Sequence, residues 1–163
     1  MAHPNEKIVL SLKELAVICE EARAGGQRVV LTSGCFDLLH GGHLEYVCDA
    51  GGMGDILVIG INSDAFVKRL KGEGRPIRDE HDRAFLMAGF SGVHHVVIFE
   101  CDYELICAVR PDVYVASNTS HVRVMDDPER MRLLALYKAE IVELGSEKTD
   151  STTDIIQRSS ARG

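Results

Sequence analysis

The chain has 163 residues, a hydrophobic content of 45% and a formal net charge of −7, which is enough apolar material for one well-buried core but not for two. The acidic balance disfavours a nucleic-acid partner, because a negative surface repels a phosphate backbone. Five cysteines without a CxxC pair predict neither a disulfide framework nor a zinc knuckle, and no apolar run reaches membrane-spanning length, so we expect a cytoplasmic protein with no membrane partner.

The first predicted elements are a helix and a buried strand. Residues Leu10–Ala24 carry apolar residues at near-helical spacing, with Ser11 as a candidate N-cap and Gly25–Gly26 as a stop. The β-branched run Arg28–Thr32 predicts a strand that ends in a turn. A second helix is expected over about Gly42–Ala50.

Continuous apolar runs predict four further strands, which lie at Asp55–Ile61, His94–Phe99, Asp112–Ala116 and Ala139–Gly145. Helices are expected between them, including one over Asp79–Ala88 and a last one near Ser151. Strands that are apolar throughout and alternate with helices indicate a parallel sheet that is covered on both faces. The predicted fold class is therefore α/β, a single doubly wound Rossmann-like domain over residues 1–163 with a five-stranded parallel sheet, in which 1–27 form a lead-in helix segment and 28–163 the core.

The loop after the first long strand, "GCFDLLHGGH" at Gly34–His43, is the first candidate site, because ligands of doubly wound sheets bind beyond the carboxyl ends of the strands. His40 and His43 fit three interpretations: a zinc pair, structural histidines at a helix start, or the wall of an anion site. A zinc site needs a third ligand, and none stands at a recognisable spacing. An anion site is favoured by glycines that let a helix N-terminus approach a phosphate closely.

The type of anion site is narrowed by two missing motifs. The chain has neither a P-loop nor a G-x-G-x-x-G fingerprint, which disfavours a P-loop NTPase and a hydride-transferring dinucleotide site. Histidines would take the place of the missing lysine. They can donate to a phosphate whose charge grows during nucleotidyl transfer, where stabilisation accelerates the reaction.

The stretch "GCFDLLHGGH" resembles the G-x-F-D-x-x-H-x-G-H signature of the cytidylyltransferase-like nucleotidyltransferases, a doubly wound α/β superfamily. "INSDAFVKRLKGEGRPI" at Ile61–Ile77 is similar to the heptose 1-phosphate adenylyltransferases of bacteria, and "RPDVYV" and "STTDII" extend the resemblance to nearly the whole chain. The resemblance implies transfer of NMP from a nucleoside triphosphate, with ATP favoured, to a sugar phosphate such as heptose 1-phosphate. The alternatives are a CTP-dependent enzyme acting on glycerol 3-phosphate or another small phosphorylated acceptor, and a non-catalytic nucleotide-binding relative.

The resemblance and the residue chemistry together assign the candidate site residues. The expected catalytic residues are His40, His43 and Lys68. The expected nucleotide-binding residues are Gly34, Cys35, Phe36, Asp37, Gly42, Arg83, Ser151 and Thr152. The expected acceptor-binding residues are Lys71, Arg75, Asn118 and His121. No protein metal ligand is expected, because the Mg²⁺ of such an enzyme bridges the phosphates of the nucleotide.

Five of these residues have more specific expectations. Phe36 is expected to anchor the loop Gly34–His43, called the histidine loop below, in the core. Arg83 is expected to lie on the surface of its helix near the phosphates. Asp37 would repel a phosphate directly, so it is expected to orient a histidine, hold the loop or meet Mg²⁺, or else to be purely structural. Lys68 and Lys71 belong to a basic run that extends to Arg78, with glycines that suit a mobile lid over a polyanion.

The chain departs from its relatives after the "RPDVYV" strand. Heptose adenylyltransferases usually carry a Lys-Gly-Gly-Asp-Tyr run there, whereas this chain reads Ala-Ser-Asn-Thr-Ser-His at 116–121. The loss of a cation and a carboxylate changes what this loop can bind, so the acceptor need not be a heptose. A homodimer is expected from the resemblance alone.

Overall fold

The computed structural model describes residues 2–118 and 124–145. Its strands form one parallel sheet in the order β1-β4-β3-β2-β5-β6. The strands are β1 (Ile8–Val9), β2 (Val29–Gly34), β3 (Ile56–Asn62), β4 (His95–Phe99), β5 (Val113–Ser117) and β6 (Glu140–Leu144). The helices are α1 (Pro4–Lys7), α2 (Leu12–Ala24), α3 (Gly41–Gly51), α4 (Asp64–Lys71), α5 (Glu80–Ala88), α6 (Asp102–Val109) and α7 (Pro128–Leu136), with a 3₁₀ turn at Val124–Asp126.

The predicted α/β class with a parallel sheet is confirmed, but the predicted number of five strands is wrong. The additional strand is β1, which pairs with β4 through Ile8 and Val9 at the edge of the sheet. Two residues are too few to give a recognisable apolar run, which is why the strand was hidden in the sequence. The last predicted helix, near Ser151, lies outside the described residues.

Local signals account for the helix boundaries. Ser11 caps α2 as predicted, since its hydroxyl accepts from the Glu14 N–H at 3.1 Å. Ser63 and Asp79 cap α4 and α5 in the same way. These caps satisfy N–H groups that would otherwise have no partner at the starts of the helices.

The sheet is covered on both faces. Helices α2, α6 and α7 pack on one face, where Leu15, Leu105 and Leu134 meet Leu31 and Val58. Helices α3 and α5 pack on the other, with Val47 and Met87 among the buried side chains. Within 2–118 and 124–145, no helix combines the length and the apolar character that a bilayer crossing requires.

The strand order reverses direction at β2. From β2 the chain moves outward through β3 to β4 on one side, and it then returns to place β5 and β6 on the other. Connections that leave neighbouring strands in opposite directions open a crevice at the carboxyl edge of the sheet. The histidine loop follows β2, so the fold places it at this crevice, as the sequence predicted.

Candidate functional site

The histidine loop is anchored by Phe36. Its side chain is buried and its backbone has a positive φ of 45°. The ring packs so closely over Gly34 that a Cβ on that glycine would lie 3.1 Å from the ring edge. Phe36 therefore anchors the loop in the core, as predicted, and a side chain at Gly34 would crowd the ring.

The two histidines lie side by side at the start of α3. His40 is the N-cap residue and His43 is in the first turn, next to the buried Gly42. Their ring centroids are 3.9 Å apart, and the Phe36 ring lies 5.5 Å from that of His43. The loop thus presents two imidazoles together at a helix N-terminus, where anions are stabilised.

His43 is a neutral imidazole at neutral pH. Burial, together with the nearby His40 and Lys71, lowers its pKa from the ordinary 6.5 to about 4. Its Nδ1 is buried and has no hydrogen-bond partner in the described part of the chain. A neutral imidazole retains one N–H donor and one acceptor, so His43 can donate to a phosphate oxygen while its charge state stays fixed.

The zinc interpretation of the histidines gains no support from the geometry. Among residues 2–118 and 124–145, no three His, Cys, Asp or Glu side chains are grouped as metal ligands would be. Cys35, the nearest candidate by sequence, has its pKa raised by burial, so its thiol is held in the protonated form.

Lys71, at the end of α4, belongs to the same cluster as the histidines. Its ammonium lies near enough to Cys35 and His43 to lower the pKa of both side chains, against the larger effect of burial at Cys35. Lys68, one turn earlier, is exposed, and its side chain makes no ion pair with any residue that the structure describes. The lysine that the fold brings to the histidines is therefore Lys71, which sequence reasoning assigned to the acceptor.

Asp37 holds the basic run of residues 68–78, called the basic segment below, against the histidine loop. Its Oδ1 accepts from the N–H groups of Ile77 and Arg78, at 2.9 and 3.0 Å, and its Oδ2 lies 3.3 Å from Arg75 Nε. The carboxylate is almost fully buried by these contacts. Of the roles expected for Asp37, the structure shows that of holding a loop. The loop that it holds is the basic segment, which contains Arg75.

Arg83 does not lie on the surface, and that expectation is wrong. Its side chain is completely buried, and its guanidinium donates to the carbonyls of Arg78, Cys35 and Asn62 and to Asp64 Oδ1 at 2.8 Å. The side chain turns inward because three main-chain carbonyls and one carboxylate meet there. Arg83 thereby joins the histidine loop to the end of β3 and to the basic segment.

Tyr46 on α3 also supports the site, and it was not among the residues predicted from the sequence. Its hydroxyl lies 2.6 Å from Thr32 Oγ1 and donates to the Val115 carbonyl at 3.0 Å. These contacts fasten α3 to β2 and β5, on the two sides of the crevice. The only available signal was the helical spacing of Tyr46 three residues after His43, on the side of α3 that meets the sheet.

Of the remaining candidate residues, Asn118 alone lies in the described part of the chain. Asn118 is exposed at the end of β5, where its N–H donates to the Leu144 carbonyl and its side chain lies against Gly145. His121, Ser151 and Thr152 lie outside the described residues, so their expected roles stay predictions.

Comparison with known families gives a match over most of the chain. A family model described as cytidylyltransferase-like matches residues 31–158. The chain is 48% identical over 160 residues to the bifunctional protein HldE of Nitratiruptor sp., covering 95% of this chain and 32% of that protein. It is 39% identical over 161 residues to the protein of the same name from Pseudomonas aeruginosa, covering 98% and 33%. The chain thus spans about a third of the length of the curated relatives it matches.

Solved structures with low sequence identity share the fold. A lipopolysaccharide core biosynthesis protein from Thermoplasma volcanium superposes with a TM-score of 0.63 at 23% identity, covering 77% of this chain and all of that one. A pantoate-beta-alanine ligase from Francisella tularensis gives a TM-score of 0.61 at 11% identity, covering 94% and 76%. These similarities support the Rossmann-like architecture, and the family match confirms the resemblance that the histidine loop predicted.

Proposed function

Because the chain belongs to the cytidylyltransferase-like family, we propose that it is a nucleotidyltransferase that moves the NMP group of a nucleoside triphosphate, ATP in preference, to a sugar phosphate such as heptose 1-phosphate. The observation that carries the proposal is the pair His40 and His43, whose rings lie side by side at the start of α3 with Lys71 near them. The acceptor class comes from the sequence resemblance, and the similarity to proteins named HldE supports it.

In this reaction an oxygen of the acceptor phosphate attacks the α-phosphorus of the triphosphate. The bond from the α-phosphorus to the bridging oxygen breaks, and pyrophosphate leaves with that electron pair. A phosphate monoester is already ionised at neutral pH, so the attack needs no general base and no covalent enzyme intermediate. The enzyme has to align the two anions and to stabilise the charge that develops on the leaving group.

The histidine pair fits the second task. His43 is half-buried and neutral in the free protein, so it presents an N–H donor without the cost of removing a charge from water. Donors that are fixed before the reaction stabilise developing charge without reorganising during it. We propose that His40 and His43 donate to oxygens of the α- and β-phosphates.

The basic segment supplies the positive charge. Lys71 lies near Cys35 and His43, and Arg75 is positioned by its ion pair with Asp37. Both cations therefore approach the histidines from α4 and the segment that follows it, where they suit the outer phosphates of the triphosphate. Lys68 is exposed and would reach the ligand only if this segment closes over it.

We also propose that Mg²⁺ enters with the triphosphate. Asp37, the carboxylate of the histidine loop, already contacts two N–H groups and Arg75, so the phosphate oxygens would be the principal ligands. The bound Mg²⁺ would neutralise charge on the departing pyrophosphate.

We also propose, from the resemblance, that the protein is a homodimer, and sedimentation of the purified chain tests it.

The first test is the variant His43→Ala. We expect pyrophosphate release to fall by about 100-fold or more, because one preorganised donor to the reacting phosphates is lost. The matched control is His81→Ala, since His81 is exposed on α5, and it should retain wild-type turnover. Circular dichroism shows whether each variant is folded. Turnover of folded His43→Ala at the wild-type rate would overturn the proposed role of the histidine pair.

The second test identifies the substrates. ATP, CTP, GTP and UTP are each combined with heptose 1-phosphate, glycerol 3-phosphate and other sugar and polyol phosphates, and pyrophosphate release is measured. The largest specificity constant is expected for ATP with a sugar 1-phosphate. Preference for CTP with glycerol 3-phosphate would replace the proposed substrates, and no release with any pair would identify a nucleotide-binding relative without catalysis.

A further inference from the structure

A second polar cluster lies at the crevice, on the sheet face that α6 and α7 cover. Asp102 begins α6 and Arg130 lies in the first turn of α7, with Arg130 Nη2 3.0 Å from Asp102 Oδ2. The Ser33 hydroxyl, near the end of β2, donates to Asp102 Oδ1 at 3.4 Å. The side chains of Arg130 and Asp102 are 9% and 17% exposed. The cluster therefore joins the end of β2 to the beginnings of two helices.

The hydrogen bonding of this cluster is incomplete. Arg130 Nε is buried and has no hydrogen-bond partner within 2–118 and 124–145, and the Ser33 contact at 3.4 Å is long. A buried donor without an acceptor is unfavourable, and a buried ion pair is seldom the most stable choice for a core position. Stability alone does not account for this arrangement, whereas a ligand oxygen at Arg130 would complete it.

The cluster and the histidine pair lie at the same end of β2, on opposite faces of the sheet. Successive residues of a strand face opposite sides of the sheet, and here Thr32 contacts Tyr46 of α3 while Ser33 contacts Asp102 of α6. The two polar clusters thus flank the carboxyl end of β2 on opposite faces. That end forms one side of the crevice between β2 and β5, so a substrate that lies across it would contact both clusters.

We propose that Arg130 and Asp102 form a subsite for the hydroxyl groups of the acceptor's sugar or polyol. This inference rests on the proposed function, since it names the part of the acceptor that this side of the crevice binds. A sugar hydroxyl both accepts and donates, so one hydroxyl can accept from the guanidinium while its neighbour donates to the carboxylate. The carboxylate would repel a phosphate, which assigns the phosphate of the acceptor to the histidine side.

The competing interpretation is a structural clasp between α6 and α7. Arg130 also lies 3.8 Å from Asp127, the N-cap of α7, and Tyr103 donates to that same carboxylate. A clasp predicts that variants lose stability but keep their affinity for the acceptor. A subsite predicts that the KM for the acceptor rises while the KM for the triphosphate does not.

The experiment therefore measures both KM values for Arg130→Met and for Asp102→Asn. Arg130→Met removes the donors and keeps most of the stem, and Asp102→Asn is a second, nearly isosteric variant that decides the matter if the first does not fold. The matched control is Arg132→Met on the same helix, whose exposed side chain pairs only with Glu129 among the described residues. Thermal unfolding of all variants measures the structural contribution separately.

We expect the KM for the acceptor to rise about tenfold or more in both subsite variants, the usual effect of losing a hydrogen bond to a charged group. The KM for the triphosphate should stay within twofold, and Arg132→Met should match the wild type. An unchanged acceptor KM in a folded subsite variant would overturn the proposal. A rise confined to the triphosphate KM would also overturn it, because the cluster would then contact the nucleotide.

Failure of the proposed function is detected independently. If the wild type releases no pyrophosphate with any pair, calorimetry measures the binding of heptose 1-phosphate and glycerol 3-phosphate to the wild type and the variants without turnover. Binding that Arg130→Met or Asp102→Asn weakens tenfold would support the subsite even in a protein without catalysis. Equal binding by the variants, or no binding by the wild type, would overturn it.

Discussion

The two buried arginines at the crevice, Arg83 on α5 and Arg130 on α7, differ in how fully their guanidinium groups are hydrogen-bonded. Arg83 donates from all three nitrogens, to three main-chain carbonyls and to Asp64. Arg130 donates to Asp102 from Nη2, and its buried Nε has no partner in the part of the chain that the structure describes. Burial is similar in the two cases, so it does not separate an arginine that braces the fold from one suited to a ligand. The two kinds of arginine are distinguished instead by how many of their guanidinium donors have a hydrogen-bond partner.

The difference extends to the two sides of the crevice. On the histidine side, Arg83 and Asp37 both tie the loop after β2 to the basic segment, so the groups that would face a triphosphate are held before it binds. Preorganisation of this kind favours the reaction step. On the α7 side, the donors of Arg130 are less constrained, which suits recognition of an acceptor.

The largest effect is expected from Arg83→Met. Loss of the guanidinium leaves three main-chain carbonyls and one carboxylate without their donor, so we expect the free energy of unfolding to fall by about 3–5 kcal/mol. Urea denaturation measures it. The control is Arg78→Met, whose exposed ion pair with Asp82 is worth about 0–1 kcal/mol.

If Arg83→Met loses less than about 1 kcal/mol of unfolding free energy, Arg83 does not brace the fold, and the contrast with Arg130 is wrong. Urea denaturation of Arg130→Met tests the other side of this contrast. That variant is expected to lose less stability than Arg83→Met, since fewer hydrogen bonds are removed.

Asp37→Asn should have an intermediate effect. The amide oxygen can still accept from Ile77 and Arg78, but the charge that pairs with Arg75 is lost, so we expect a loss of about 1–3 kcal/mol. Hydrogen exchange at the amides of Ile77 and Arg78 should accelerate, and the KM for the triphosphate should rise. Asp82→Asn, at an exposed acid of the same region, is the control. Unchanged exchange in Asp37→Asn would show that the carboxylate does not hold the segment.

The sequence was informative where a feature is local. The apolar runs predicted β2 to β6, and the histidine loop was identified within ten residues because its glycines, phenylalanine and histidines lie next to one another in the chain. Helix caps such as Ser11 were predicted for the same reason, since the cap and its partner are three residues apart.

Features that depend on distant partners were missed. Arg83 was expected on the surface of its helix, whereas it is buried and one of its acceptors, the Cys35 carbonyl, is 48 residues away. Tyr46 meets Val115 across 69 residues, and Ser33 meets Asp102 across the same separation. A single sequence carries no signal for such pairs, because the topology of the sheet decides which loops meet.

The smallest effect concerns the pH dependence of stability, which has opposite signs on the two sides of the crevice. Burial lowers the pKa of His43 from 6.5 to about 4, so between these values the unfolded chain binds a proton that the folded chain does not. Stability therefore falls as pH decreases through this interval. Burial raises the pKa of Asp102, with Arg130 opposing the shift, so its contribution falls as pH increases just above the ordinary pKa of 3.8.

We expect His43→Asn to reduce the loss of unfolding free energy between pH 6.5 and 4 by about 1–2 kcal/mol, since a partly exposed imidazole realises only part of its shift. Asp102→Asn should change the slope near pH 4 in the opposite sense. His94 and His95 also have pKa values lowered by burial, so part of the acid slope should persist in every variant. Urea denaturation at half-unit pH steps measures these slopes. If His43→Asn keeps the wild-type slope, folding does not lower the pKa of His43, and the proposal that burial fixes its neutral form would be wrong.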